Sequence, residues 1–239
     1  MAETHDGDAF AVVGTDTGVG KTVVTAGLVA WLREDGVDAR AVKPVQTGFP
    51  PDDDAEFVAA ACGTADAATC LERLEPALAP RVAAERVGTE RSYVTIREGC
   101  ERALAASEVG VLEGVGGVRV PLAGDREVID LVADLDLAAV VVARSGLGTL
   151  NHTALTVDAL AARGVETHAV VLNEYAGETV AERTNRAELE RMTGVSVHTL
   201  SAFDLATPED AVGGVRDGLP ADVFPCSGGR ATQNPSRRD

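Results

Sequence analysis

An apolar run, Phe10-Ala-Val-Val13, passes directly into Gly14-Thr-Asp-Thr-Gly-Val-Gly-Lys-Thr22, and a stretch suited to a helix continues from Lys21 to about Asp35. Strand, glycine-rich loop and helix in that order leave few folds open. The N–H groups of the loop and of the first helical turn form a positively polarised cradle for a polyphosphate. In such a cradle Lys21 reaches the β and γ oxygens and Thr22 can hold Mg²⁺. The usual phosphate loop has glycine at position 15. Here that residue is Thr15, and glycine comes one position earlier, at Gly14. The alternative is a glycine turn that binds nothing.

The rest of the chain repeats the alternation. Val37 to Val42 predicts a second strand, and 52 to 61 a helix whose start the aspartates can cap. Residues 63 to 92, carrying Pro76 and Pro80, are the least legible part and read as a lid or excursion. A helix over 96–106 leads to the strand Val109-Gly-Val-Leu112. Ala138-Ala-Val-Val-Val-Ala143 is apolar throughout, as a strand covered on both faces must be. A helix over 149–163, a strand over 168–172, a helix over 180–192 and a last strand over 195–200 complete the pattern. Such alternation predicts a three-layer α/β fold with a mainly parallel sheet flanked by helices, and the glycine loop makes that fold P-loop NTPase-like. Residues 1–224 are expected to form a single domain, and 225–239, rich in Ser, Gly, Pro, Asn and Arg, a disordered tail.

Lysine is nearly absent. Of 21 basic residues only Lys21 and Lys43 are lysines, and an ammonium on phosphate oxygens is not freely exchanged for a guanidinium. Both are expected in loop-like settings beside strands, with no buried packing depending on Lys43, which opens Lys-Pro-Val-Gln-Thr-Gly48. The formal charge of −17 argues against broad nucleic-acid binding or attachment to anionic membranes. Combined with scarce lysine it resembles adaptation to high salt, although a GC-rich genome would also favour arginine. The N-terminus lacks a basic segment followed by an apolar one, and no apolar run approaches membrane-spanning length. A cytoplasmic enzyme is expected. Cys62, Cys70, Cys100 and Cys226 show no zinc or CxxC spacing and read as reduced thiols.

Three further motifs bear on chemistry. Asp52 to Asp54 precede a helix and either cap it or supply a metal ligand. Glu113-Gly-Val-Gly-Gly117 follows a buried strand, where open α/β sheets bind ligands, or else simply ends the strand in a turn. Gly148-Thr-Leu-Asn-His152 opens a helix whose N–H groups suit a carboxylate or are merely capped. His152 alone is better read as a helix-face residue. Asn173, at a strand end, reads a base edge or shapes a turn.

Taken together, from Phe10 to about Asn173, these motifs resemble the dethiobiotin synthetase family, in which the extra glycine-loop residue is normal. The resemblance implies a Mg²⁺- and ATP-dependent synthetase of biotin synthesis acting on 7,8-diaminononanoate and CO₂, working as a homodimer with its active site at the subunit interface. It implies nucleotide binding by Asp16, Gly18, Val19, Gly20, Lys21, Thr22 and, at adenine, Asn173. Catalytic roles fall to Lys21, Lys43 and Thr17, and metal binding to Thr22, Asp54 and Glu113. Substrate binding falls to Thr17, Lys43, Thr47 and Gly116, with Thr149, Leu150 and Asn151 contributed by the partner subunit. The family's Pro-His pair is Pro80-Arg81 here. Two rivals share the fold class. A partition or division-type ATPase switch usually carries a second lysine early in the loop, which is missing here. A cobyrinate-type synthetase domain would need a glutaminase domain beyond the end of this chain.

Overall fold

The computed structural model describes residues 8–225, so the expected tail lies outside the described residues apart from its first position, as does Cys226. β1 (Asp8–Gly14) feeds the glycine loop and α1 (Lys21–Glu34). β2 (Ala39–Thr47), α2 (Asp54–Ala61) and β3 (Ala68–Leu74) follow. Two helices, α3 (Pro80–Arg86) and α4 (Tyr93–Leu104), lead to β4 (Val109–Gly117). A small antiparallel hairpin, β5 (Pro121–Ala123) and β6 (Arg126–Glu127), runs into α5 (Val128–Asp134). The remaining elements are β7 (Ala138–Arg144), α6 (Thr149–Ala162), β8 (Thr167–Tyr175), α7 (Val180–Thr193), β9 (Ser196–Ser201) and α8 (Asp210–Gly218).

Seven strands form one parallel sheet in the order β3-β2-β4-β1-β7-β8-β9. From β1 the chain builds to one side, and after β4 it builds to the other. The topological switch therefore lies at β1, whose carboxyl end carries the glycine loop, the place where open α/β sheets bind ligands. Alternate residues of β1 enter opposite cores, as period-two geometry requires. Ala11 and Val13 pack with α4 to α7 side chains such as Ile96, Ile129, Leu160 and Leu189. Phe10 and Val12 pack beneath α1, α2 and α8, on Val24, Leu28, Val58 and Val215. The predicted three-layer class is the observed one.

Two expectations need correction. The stretch 63–92 is no simple excursion: it contains the edge strand β3 and α3, which starts at Pro80 in its first turn. Its half-exposed strand and proline-led helix carry little apolar periodicity, so pattern alone did not show them. Lys43 does not sit in a loop either. β2 continues through it to Thr47, pairing Lys43 with Cys70 and Val45 with Glu72 on β3. The β2–β4 ladder has already stopped at Val42 opposite Leu112. Pro44, which has no N–H to give, is tolerated because β2 is a one-sided strand from there on. The pattern also does not give the β5–β6 hairpin, α5 or α8.

Candidate active site

The fork between β2 and β4 is where the chemistry collects. Lys43 is the first β2 residue beyond the ladder and Glu113 the first on β4, so the two side chains meet across the opening. Lys43 Nζ donates to Glu113 Oε1 at 2.8 Å and to the Gly114 carbonyl at 3.1 Å, and also pairs with Asp54. Lys43 is 5% exposed and Glu113 1%. The expectation that no buried packing depends on Lys43 is thus overturned: the ammonium closes a buried fork. Burial opposes that charge, but the Glu113 and Asp54 carboxylates outweigh it and raise the Lys43 pKa. Burial raises Glu113, and the neighbouring Asp54 charge adds to the effect. For Asp54, burial is overcome by the attraction of Lys43, and its pKa falls. Two carboxylates sharing one ammonium are pushed apart in this way.

Asp54 is positioned by α2. Asp53 is the cap, accepting from Glu56 N at 3.2 Å, and Asp54 is the first helical residue. Gln46, near the end of β2, accepts from Asp54 N at 3.2 Å and so joins strand to helix. Motif reading did not assign Gln46. Thr22 Oγ1 donates to Glu113 Oε1 at 2.9 Å, so Thr22, Asp54 and Glu113 form one oxygen-rich group. Among the described residues no cluster of three or more His, Cys, Asp and Glu could hold a metal. Two carboxylates and a hydroxyl beside a phosphate cradle nevertheless match the preference of Mg²⁺, which keeps waters and phosphate oxygens in its shell.

The glycine loop turns through two left-handed residues, Gly18 (φ 69°) and Gly20 (φ 97°). Gly20 also caps α1, leaving the first-turn N–H groups without a side-chain cap. A side chain at Gly20 would collide with the amide of Asn173, whose Nδ2 donates to the Val19 carbonyl at 3.1 Å. Lys21 is buried and its Nζ donates to the Asp16 carbonyl at 2.9 Å. Burial, aided by repulsion from Lys43, lowers its pKa to about 8. The aliphatic stem crosses Gly14, where a Cβ would lie 3.0 Å from both Lys21 Cδ and Nζ, which explains glycine at that early position.

Thr17, Gly18, Gly20, Lys21, Thr22, Lys43, Thr47, Asp54 and Gly116 line one cavity of about 870 Å³. Its far wall includes Pro208, from the segment before α8, which no motif had marked. The Asp16 carbonyl accepts from Lys21 and its carboxylate from Thr17 N, the Val19 carbonyl accepts from Asn173, and Glu113 lies buried behind Thr22 and Lys43. Thr149, Leu150 and Asn151 stand apart from this lining, at the start of α6.

A family model described as an AAA domain matches residues 8–199. An ATP-dependent dethiobiotin synthetase from Haloferax mediterranei is 62% identical, over 92% of this chain and 93% of its own. The chain belongs to the dethiobiotin synthetase family. Another of that name from Aquifex aeolicus is 33% identical, over 86% of this chain and 94% of its own. A ParA family ATPase from Chlorobium tepidum superposes with a TM-score of 0.60 at 12% identity, covering 92% of this chain and 97% of that one. That likeness establishes the P-loop fold alone. As a dethiobiotin synthetase family member the chain is an ATP-dependent ligase, and of the motifs quoted for the resemblance the glycine loop, the Lys43 strand, Asp54 and Glu113 are gathered at this fork, whereas Gly148 to His152 are not.

Proposed function

We infer that this chain closes the ureido ring of dethiobiotin from 7,8-diaminononanoate, CO₂ and ATP. One observation carries the reading: the chain's two lysines, 22 residues apart, reach the same cavity, one from the phosphate cradle and one from the strand fork. One amine of the substrate attacks CO₂, loses a proton and becomes a carbamate. A carbamate oxygen takes the γ-phosphoryl group and ADP leaves. The second amine then attacks the carbamoyl carbon, expels phosphate and gives up its proton.

Lys21 and the glycine-loop N–H groups hold the phosphates, with Asp16, Gly18 and Val19 shaping the cradle. Lys43 neutralises charge between the γ-phosphoryl group and the carbamate as one bond breaks and another forms. Thr17, Thr47 and Gly116 face the amine and carbamate end. Thr22, Asp54 and Glu113 would hold Mg²⁺, which when bound supplies positive charge to the phosphate oxygens. Asn173, with Nδ2 engaged to the loop, offers its Oδ1 to the adenine amino group. Thr149, Leu150 and Asn151 meet the substrate carboxylate from the partner subunit of a homodimer. Supporting this, Leu147 and Leu155 flank that segment at 94% and 60% exposure, apolar surface that a second subunit would cover.

Among the described residues no helix is long and apolar enough to cross a membrane. The deciding experiment measures phosphate release with Mg²⁺ and ATP. Release should depend on both diaminononanoate and CO₂ and yield dethiobiotin one for one. Steady hydrolysis without them, or hydrolysis driven by DNA or lipid vesicles, would favour a partition-type switch instead.

A further inference from the structure

The start of α7 does more than begin a helix. Thr179 and Glu182 form a capping box, a local device that ordinarily satisfies two helix-end donors at the surface. Here Glu182 is buried and its carboxylate collects five donors. Oε2 accepts from Glu178 N (3.1 Å), Thr179 N (3.0 Å) and Thr179 Oγ1 (3.1 Å). Oε1 accepts from Ala176 N (3.5 Å) and from Ser145 Oγ (3.2 Å). The last of these comes from another loop, the one between β7 and α6. One turn on, Asn185 Nδ2 donates to the carbonyls of Ser145 (2.8 Å) and Gly146 (3.2 Å). The single Ser145 hydroxyl proton is shared between Glu182 Oε1 and the carbonyl of Glu174, both at 3.2 Å. Glu174 holds a left-handed backbone (φ 53°), uncommon for a residue other than glycine. All three partners, Ser145, Glu182 and Asn185, are buried.

We propose that Glu182 and Asn185 are positioning residues that lock the loop after Asn173 to the loop that starts α6, so that the nucleotide-base side of one subunit's site is set together with the carboxylate contact that the same subunit lends to its partner's site. The proposal rests on the synthetase reading for what those loops bind. Neither residue touches the 870 Å³ cavity, so any effect must pass through the loops. Five donors on two oxygens need a carboxylate. An amide offers one acceptor oxygen and turns its own N–H groups on the remaining donors.

The test uses the full chain with Glu182→Gln, Ser145→Ala and, as a matched control on the same helix, Glu188→Gln. Glu182→Gln should raise KM for ATP and for diaminononanoate each by about tenfold, with kcat held within about threefold, because binding loops shift while reacting groups do not. Amide hydrogen exchange should accelerate at both 145–148 and 176–179. Ser145→Ala should raise KM for diaminononanoate by about threefold and speed exchange at 145–148. Glu188→Gln should match the parent. Glu182→Gln with both KM values unchanged, or with faster exchange at 176–179 only, overturns the coupling. If Glu182→Gln fails to fold, an unaltered KM and unaltered exchange in Ser145→Ala overturn it instead. If the parent chain shows no turnover dependent on diaminononanoate, the synthetase reading has failed, and the exchange pattern still decides whether the loops are coupled.

Discussion

Lys43 and Glu113 satisfy each other in a place water scarcely reaches, and that makes each dependent on its partner. Removing the ammonium leaves two carboxylates at the fork, of which Glu113 is the more buried. Lys43→Met should therefore cut turnover by at least about a hundredfold and also cost about 3 kcal/mol of stability near pH 8. The sign of the pH dependence follows from Glu113. Its folded pKa is already raised by burial, and without Lys43 it rises further. A raised folded pKa favours the fold below the unfolded value near pH 4 and loses that benefit as pH climbs. The stability deficit of Lys43→Met relative to the parent should shrink at pH 5 and widen at pH 8 in urea titrations. An equal deficit at both values would show that Glu113 does not take up the vacated charge.

Between α1 and α8 the packing leaves no room for even a methyl group. A Cβ on Gly27 would overlap the Val215 side chain and lie 2.8 Å from the Ala211 carbonyl. Alanine favours a helix by about 1 kcal/mol over glycine, yet overpacking of this kind costs about 1–3 kcal/mol. Gly27→Ala should lower the denaturation midpoint, and adding Val215→Ala should recover part of the loss. A stabilised Gly27→Ala would mean that α8 yields easily. This level also shows where pattern reading stopped. β1, β7 and β8 were legible because a strand buried on both faces must be continuously apolar. β3 and α3 were not, because half-exposed residues carry no clean period. Pattern alone ends β2 at Val42, because the residues after it, Lys43, Pro44 and Gln46, look wrong for a strand. They become acceptable only once β4 has diverged and the strand needs one partner.

Charge acts on the molecule as a whole. A formal charge of −17 on 239 residues repels itself over the Debye length, which is about 10 Å at 0.1 M salt and about 3 Å at 1 M. Surface pairs such as Arg216 with Glu34 and Asp35 offset little of this, because exposed pairs are worth at most about 1 kcal/mol. The melting temperature should rise by about 10 °C between 0.1 M and 2 M KCl, most of it below 1 M where screening changes fastest. A flat or falling curve would remove the salt-adaptation reading and leave genome composition as the reason for scarce lysine.

The chain's local order was enough to establish a phosphate cradle on a parallel sheet, and the family motifs marked the residues around it. Loop glycines, apolar runs and caps are imposed by nearest neighbours, so they can be read along the sequence. Distance along the chain hid the rest. Lys43 meets Glu113 across 70 residues, Thr22 meets Glu113 across 91, and Asn173 holds Val19 across 154. Whether such groups touch depends on where two strands part and which loop folds over which. Burial then decides the charge each group can keep, and only the packed sheet could settle that.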